Sequence, residues 1–163
     1  YLDAFNKEEI PHQEYYLDFD QTHDIAINLS LNIPKDQGPE LLGMKPLSDL
    51  NVNVVFQAAS GLPYTPYVDP TVRIDVNSAR KPWTSTVDLR MTKKLWFSSV
   101  AATAFLEITN LLNNENVRYV FSRTGKPFDT GIAGLVGSSP DADHNPASLG
   151  PPRIVKAGVQ LIW

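Results

Sequence analysis

The chain has 163 residues (18.1 kDa), with 42% hydrophobic and 20% charged residues, no cysteine and a net charge of -4. This is the composition of one ordered domain, interrupted by 13 prolines. It excludes wholesale disorder, disulfide frameworks and thiol chemistry, and it lacks the basic field that gathers nucleic acid.

No segment reaches the ~18–20 apolar residues of a transmembrane helix, so only the ~9–11-residue alternating strands of a β-barrel could cross a membrane. The chain starts at Tyr1 with no n-region or h-region, so a mature, processed or fragmentary form is expected, a fragment first among them.

Strict period-two alternation first appears at residues 24–33, where Ile25, Ile27, Leu29, Leu31 and Ile33 oppose Ala26, Asn28, Ser30 and Asn32. Pro34 ends that strand by removing a ladder donor. A second strand is expected at 51–59, with Val52, Val54, Phe56 and Ala58 on one face and Val55 intruding on the other. Ser60-Gly61-Leu62-Pro63 breaks it.

A third, at 84–95, sets Val87, Leu89 and Met91 against Asp88, Arg90 and Thr92. The fourth, at 100–110, sets Ala102, Ala104, Leu106 and Ile108 against Thr103, Phe105 and Glu107. A rival helical spacing covers residues 105–112, but the asparagines from Asn110 to Asn114 favour a bend. The last strand, 153–163, carries Val155, Ala157, Val159, Leu161 and Trp163 opposite Lys156, Gly158 and Gln160.

Connections alternate between long and short: residues 61–82 and 122–152 are long and proline-rich, 35–49 is intermediate and 97–99 is a short turn. Taken singly, each strand suits a soluble sandwich as well as a barrel. The tryptophans discriminate: Trp83, Trp96 and Trp163 all fall at strand ends, where indole favours the headgroup boundary. From Trp83 to Trp96 a strand tilted by about 40° spans roughly 33 Å along the membrane normal, enough to bracket a ~25 Å apolar band. Five strands are too few to close a barrel, so the expected remainder lies upstream.

Several motifs occur in order. They are Asp20-Gln21-Thr22-His23, Ser60-Gly61-Leu62-Pro63-Tyr64-Thr65-Pro66, Asn77-x-x-Arg80-x-Pro82, Asp88-Leu89-Arg90-x-x-Lys93, Asn110-Leu111-Leu112-Asn113, and Pro152-Arg153 ahead of Gly158 and a terminal aromatic. Together they resemble the C-terminal barrel strands of TonB-dependent outer-membrane receptors. The stretch Val120-Phe121-Ser122-Arg123-Thr124-Gly125-Lys126-Pro127 further resembles the Oar-like branch, which carries carboxypeptidase-regulatory-like N-terminal extensions.

The resemblance implies an all-β fold: residues 1–163 would be about five C-terminal strands of a ~22-stranded plugged barrel in the cell outer membrane. It implies TonB-dependent uptake of a nutrient ligand and no enzymatic activity. The implied partners are the rest of the barrel and its plug, TonB through an upstream segment, outer-membrane lipid, and the barrel-assembly machinery. That machinery would read Val159, Leu161 and Trp163 as its signal. Long loops would face outside and short turns the periplasm. An adhesion or scaffold protein on the same barrel, or a soluble β-sandwich binding module, are the alternatives.

In this register Asp88, Arg90, Glu107 and Lys156 face the lumen, hydrogen-bonding the plug or one another, or else lining a substrate path. Tyr64, Tyr67, Arg118 and Tyr119 lie near the outer rim as ligand candidates.

No cofactor, metal site or catalytic residue is expected. His12, His23 and His144 are isolated, and Asp141, Asp143 and His144 lack the glycine and terminal glutamate of an EF-hand. Gly125-Lys126 lacks the earlier glycine and the following Ser or Thr of a phosphate loop.

Overall fold

The computed structural model describes residues 14–67, 71, 75–97, 100–132 and 144–162. Strands form where the alternation is cleanest: β1 (Asp24–Ile33), β2 (Leu50–Ala59), β5 (Thr84–Phe97), β6 (Val100–Thr109) and β7 (Ile154–Ile162). Two short strands, β3 (Pro63–Tyr64) and β4 (Ala79–Arg80), lie in the loop between β2 and β5.

The five longer strands pair in the order β1-β2-β5-β6-β7, every neighbour antiparallel, so the sheet is an up-and-down meander with β1 and β7 at its edges. The fold is all-β. The sheet is open among the described residues.

Boundaries differ from the alternation by a residue or two. β2 starts at Leu50, β6 stops at Thr109, and β7 covers Ile154–Ile162, with Trp163 outside the described residues. β5 runs on to Phe97 because Lys94, Leu95, Trp96 and Phe97 pair with Thr103, Ala102, Ala101 and Val100 across the turn. The helical spacing at 105–112 resolves as strand to Thr109 and a turn after it, since Asn110 takes φ 53°.

The register merges the separate alternations into one apolar face. Leu29, Val54, Leu89, Ile108 and Val155 form a single row across all five strands, and Leu31, Val52, Met91, Leu106 and Ala157 form the next. Nothing among the described residues covers this face. Leu29 is 63% exposed and Val159 65%, and Ala102 is the described hydrophobic residue that is fully buried. The chain exposes 12610 Å², against about 8,100 Å² expected of a compact monomer of its mass.

The opposite face is polar. Ser30, Asn53, Arg90, Glu107 and Lys156 share one row, in which Asn53 Nδ2 donates to Ser30 Oγ and Asn28 Oδ1 at 2.7 Å each. Arg90 Nη1 lies 3.7 Å from Glu107 Oε1. Such an exposed pair contributes at most about 1 kcal/mol, so it orders the row more than it stabilises the sheet.

Phe105 interrupts the polar face for a local reason. It pairs with Gly158, and its ring occupies the space a side chain would fill there, since a Cβ on Gly158 would come within 2.6 Å of two ring carbons. An aromatic laid over a cross-strand glycine shields bare backbone. Gly158→Ala should therefore cost about 1 kcal/mol by overpacking, and less in a Phe105→Ala background. A double-mutant cycle in urea unfolding of the full-length protein checks this; additive effects would show that the ring does not sit over the glycine.

Candidate functional site

The loops at the Asp24 end of β1 converge into a rim. The β2–β5 hairpin continues beyond Ala59 and Thr84 in the same register: Lys81 N–H donates to Leu62 O at 3.0 Å, and β3 pairs with β4 through Pro63 with Arg80 and Tyr64 with Ala79. Between the two ladders the chains approach so closely that a Cβ on Gly61 would stand 1.8 Å from Lys81 O. Only glycine fits this crossing.

Above the crossing, Arg80 knits three segments together. Its guanidinium pairs with the Asp20 carboxylate, donates to Asp20 O at 3.2 Å and Gly61 O at 3.4 Å, and lies 4.5 Å from the Tyr16 ring centre. The hydrogen bond that Arg80 donates to Asp20, with the carboxylate's charge, raises the Arg80 pKa above its ordinary value.

Asn77, held at φ 57°, donates through Nδ2 to Tyr16 O and Asp18 Oδ1, both at 2.7 Å. Ser60 N–H donates to His23 O at 2.8 Å while His23 N–H donates to Ser60 Oγ at 3.0 Å, and Gln21 Nε2 reaches Ser60 O. The His23 side chain stacks on Trp83, ring centres 5.8 Å apart. His23 thus bonds Ser60 through its backbone alone.

A second knot joins β5, β6 and β7. Asn110 is 1% exposed; its Nδ2 donates to Asn114 O and Pro151 O, its Oδ1 accepts from Asn114 N–H, and its own N–H donates to Asp88 Oδ1 at 2.9 Å. Asn116 exchanges hydrogen bonds with the Ser85 backbone, and Asn113 Oδ1 accepts from Arg153 N–H. Asp88 thus caps a turn. Arg90 and Glu107 face each other and Lys156 pairs with Glu107 in register.

The four rim candidates do not meet. Arg118 and Tyr119 line a groove of about 330 Å³ with Gln21, Leu62, Lys81 and Val117. Tyr67 lines another with Phe121, Arg123 and Ile132, its ring 4.7 Å from the Arg123 guanidinium. Tyr64 points its hydroxyl at Gly125, where a Cβ would come within 2.4 Å.

Sequence reasoning missed Lys81 and Arg123. Lys81 Nζ donates to Arg118 O at 2.9 Å and sits 5.8 Å from the Tyr119 ring centre. Neither cation stands in an alternating segment, so periodicity carried no sign of them.

Lys81, Arg118 and the exposed Tyr119 ring give the first groove the means to hold an anionic or aromatic group. The Gly131 N–H, then Lys126, holds Asp129 below the usual carboxylate range, which orders the neighbouring loop. Among the described residues no group of three or more His, Asp or Glu is placed to hold a metal ion. His144 stacks on Phe128 at 4.7 Å, while His12, Asp141 and Asp143 lie outside the described residues.

Trp96 departs from the girdle expectation. By register with Ala101 it stands on the polar side, where its Nε1 donates to Asp49 Oδ2 at 2.9 Å and Lys35 Nζ lies 4.6 Å from its ring centre. It pins the loop of residues 34–49 from that side, with the residue still 56% exposed.

Comparison of the chain with protein-family models, with curated proteins and with solved structures gives no match.

Proposed function

We propose that the chain is a wall segment of an outer-membrane β-barrel, the C-terminal part of a TonB-dependent receptor that binds a nutrient ligand outside the cell and admits it to the periplasm. The observation that carries this is the continuous, uncovered apolar face of a five-stranded meander, opposite a polar face. In water such a face would be a large aggregation liability, whereas in a bilayer it is the surface that lipid requires.

The dimensions agree. From Val87 to Phe97 on β5, a strand tilted by about 40° rises roughly 25 Å along the membrane normal, the height of the apolar band of such barrels. Both edge strands keep a row of backbone groups for further strands, as a wall segment needs.

The family assignment rests on the ordered motifs, and the structure gives these residues mutual contacts: Asp20 with Arg80, Ser60 with His23, Asn110 with Asp88 and Asn113 with Arg153. In this reading the partners are the upstream strands and plug, TonB, the barrel-assembly machinery and lipid. The Lys81, Arg118 and Tyr119 groove lies at the outer mouth.

Expression of the complete parent reading frame followed by envelope fractionation tests the proposal. Heat-modifiable mobility in the outer-membrane fraction is expected, and soluble recovery of a compact protein would overturn it. A plug and a TonB-contacting segment upstream would separate transport from adhesion or scaffolding on the same barrel.

A further inference from the structure

The loop between β1 and β2 is unusually apolar for a turn at the water-facing end of a sheet. Leu41, Leu42 and Met44 are 65%, 91% and 66% exposed. Leu42 and Gly43 form a two-residue turn, both with left-handed φ, 55° and 73°. That geometry favours Asn or Gly, so a leucine there is strained locally and fully displayed.

The two residues flanking the tip nevertheless pair their backbones. Leu41 N–H donates to Met44 O at 2.7 Å and Met44 N–H to Leu41 O at 3.0 Å. Pairing both groups is what allows backbone to enter a region poor in water.

The loop is also continuous with the apolar face. A Cβ on Gly38 would touch Ile33 Cγ2 at 3.4 Å and Leu47 Cβ at 3.6 Å, and Ile33 belongs to the row of Leu50 and Lys93 on that face. Lys93 Nζ donates to Ser48 O, carrying its charge from the apolar face towards the loop, and Lys45 Nζ is held by Asp36 O at 2.7 Å. Lysines with apolar stems and anchored heads mark a lipid boundary.

We propose that the tip at residues 41–44 inserts its leucine and methionine side chains into the phospholipid headgroup boundary of the leaflet at the 34–49 end of the sheet, which is the periplasmic end in the barrel reading. This inference rests on that reading. The tip acts as a wedge that fixes the depth and tilt of the wall beside β1 and β2.

The test uses the full-length protein in phospholipid vesicles, in a background without other cysteines. An environment-sensitive fluorophore is placed by Leu42→Cys and, separately, by Leu29→Cys in the middle of the apolar face. Lipids carrying a nitroxide near the headgroup or deep in the acyl chain, and aqueous iodide, serve as quenchers.

The label at 42 should be quenched by headgroup nitroxide and shielded from iodide. That quenching should be lost when Leu41→Ser and Met44→Ser are added, which leave the turn's backbone bonds intact. Quenching at 42 by iodide, with the label at 29 quenched from the acyl chain, would overturn the wedge and leave the barrel standing. Shielding at 42 from every quencher would overturn it in favour of a protein partner over the tip. Failure of lipid quenching at 29 would bring down the barrel reading and the wedge with it.

Discussion

Asn110→Ala should lower the unfolding free energy of the full-length protein by about 3–4 kcal/mol, because the substitution strands three backbone groups and leaves alanine in a left-handed conformation. The stranded groups are Asn114 N–H, Asn114 O and Pro151 O, which the Asn110 amide now satisfies from a position only 1% exposed. Each lost hydrogen bond at a buried site costs roughly 1 kcal/mol, and a φ of 53° adds about another for a residue other than glycine or asparagine.

Two companion variants separate the contributions. Asn110→Asp keeps the acceptor for Asn114 N–H but loses both donors, and should fall between alanine and wild type. Asn110→Gly relieves the backbone and loses the amide, and should cost about 1 kcal/mol less than alanine. Urea unfolding of the full-length protein measures all three. Equal destabilisation by glycine and alanine would show that the left-handed backbone is not part of the cost.

This knot also shows what sequence could and could not convey. The run of asparagines ending β6 signalled a bend, because asparagine tolerates positive φ, and Asn110 and Asn113 both adopt it. What it could not signal is the closure onto Ser85 of β5 and onto Pro151 and Arg153 ahead of β7, through bonds that span 29 to 41 residues. Alternation reports which face a side chain takes and says nothing about partners in distant loops.

The five longer strands were legible to within two residues, because period-two patterning and register must agree wherever one face is apolar, whereas β3 and β4 fell in a segment read as loop. Phe105 looked like an exception to the pattern until Gly158 was found opposite it. Trp96 looked like a girdle residue, yet one more step of alternation along β5 turns it to the polar side and onto Asp49. Gly61 stood in a motif with no stated reason, and the reason is a crossing with Lys81 that only the folded hairpin displays. The Leu42–Gly43 turn was invisible for the opposite cause: leucine is a poor marker of a left-handed turn, so the residue that strains the backbone also hides it.

In the proposed lipid-embedded barrel, Leu29→Arg should cost roughly 2–4 kcal/mol and Ser30→Arg, one residue on, less than about 1 kcal/mol. Leu29 sits at the middle of β1 on the row of Val54, Leu89 and Ile108, 63% exposed to whatever covers that face. An arginine there must snorkel or drag water to the bilayer midplane. Ser30 points to the other side, beside Asn53, which keeps its bond to Asn28 Oδ1 when the serine is lost. An arginine in that row has Asn53 beside it and, farther across the sheet, Arg90 already paired with Glu107, so it stays among polar groups.

The native sequence supplies an internal comparison. Lys93 already stands on the apolar face, two rungs along from the Leu29 row, where Ile33 and Leu50 align with it. It is tolerated because its ammonium reaches Ser48 O at the end of the sheet. Charge near the boundary costs only about 0–1 kcal/mol, so Lys93→Leu should move stability far less than Leu29→Arg. Comparable losses from Leu29→Arg and Ser30→Arg, measured by unfolding in lipid, would mean that the two faces share one solvent and that the apolar row does not look into a bilayer.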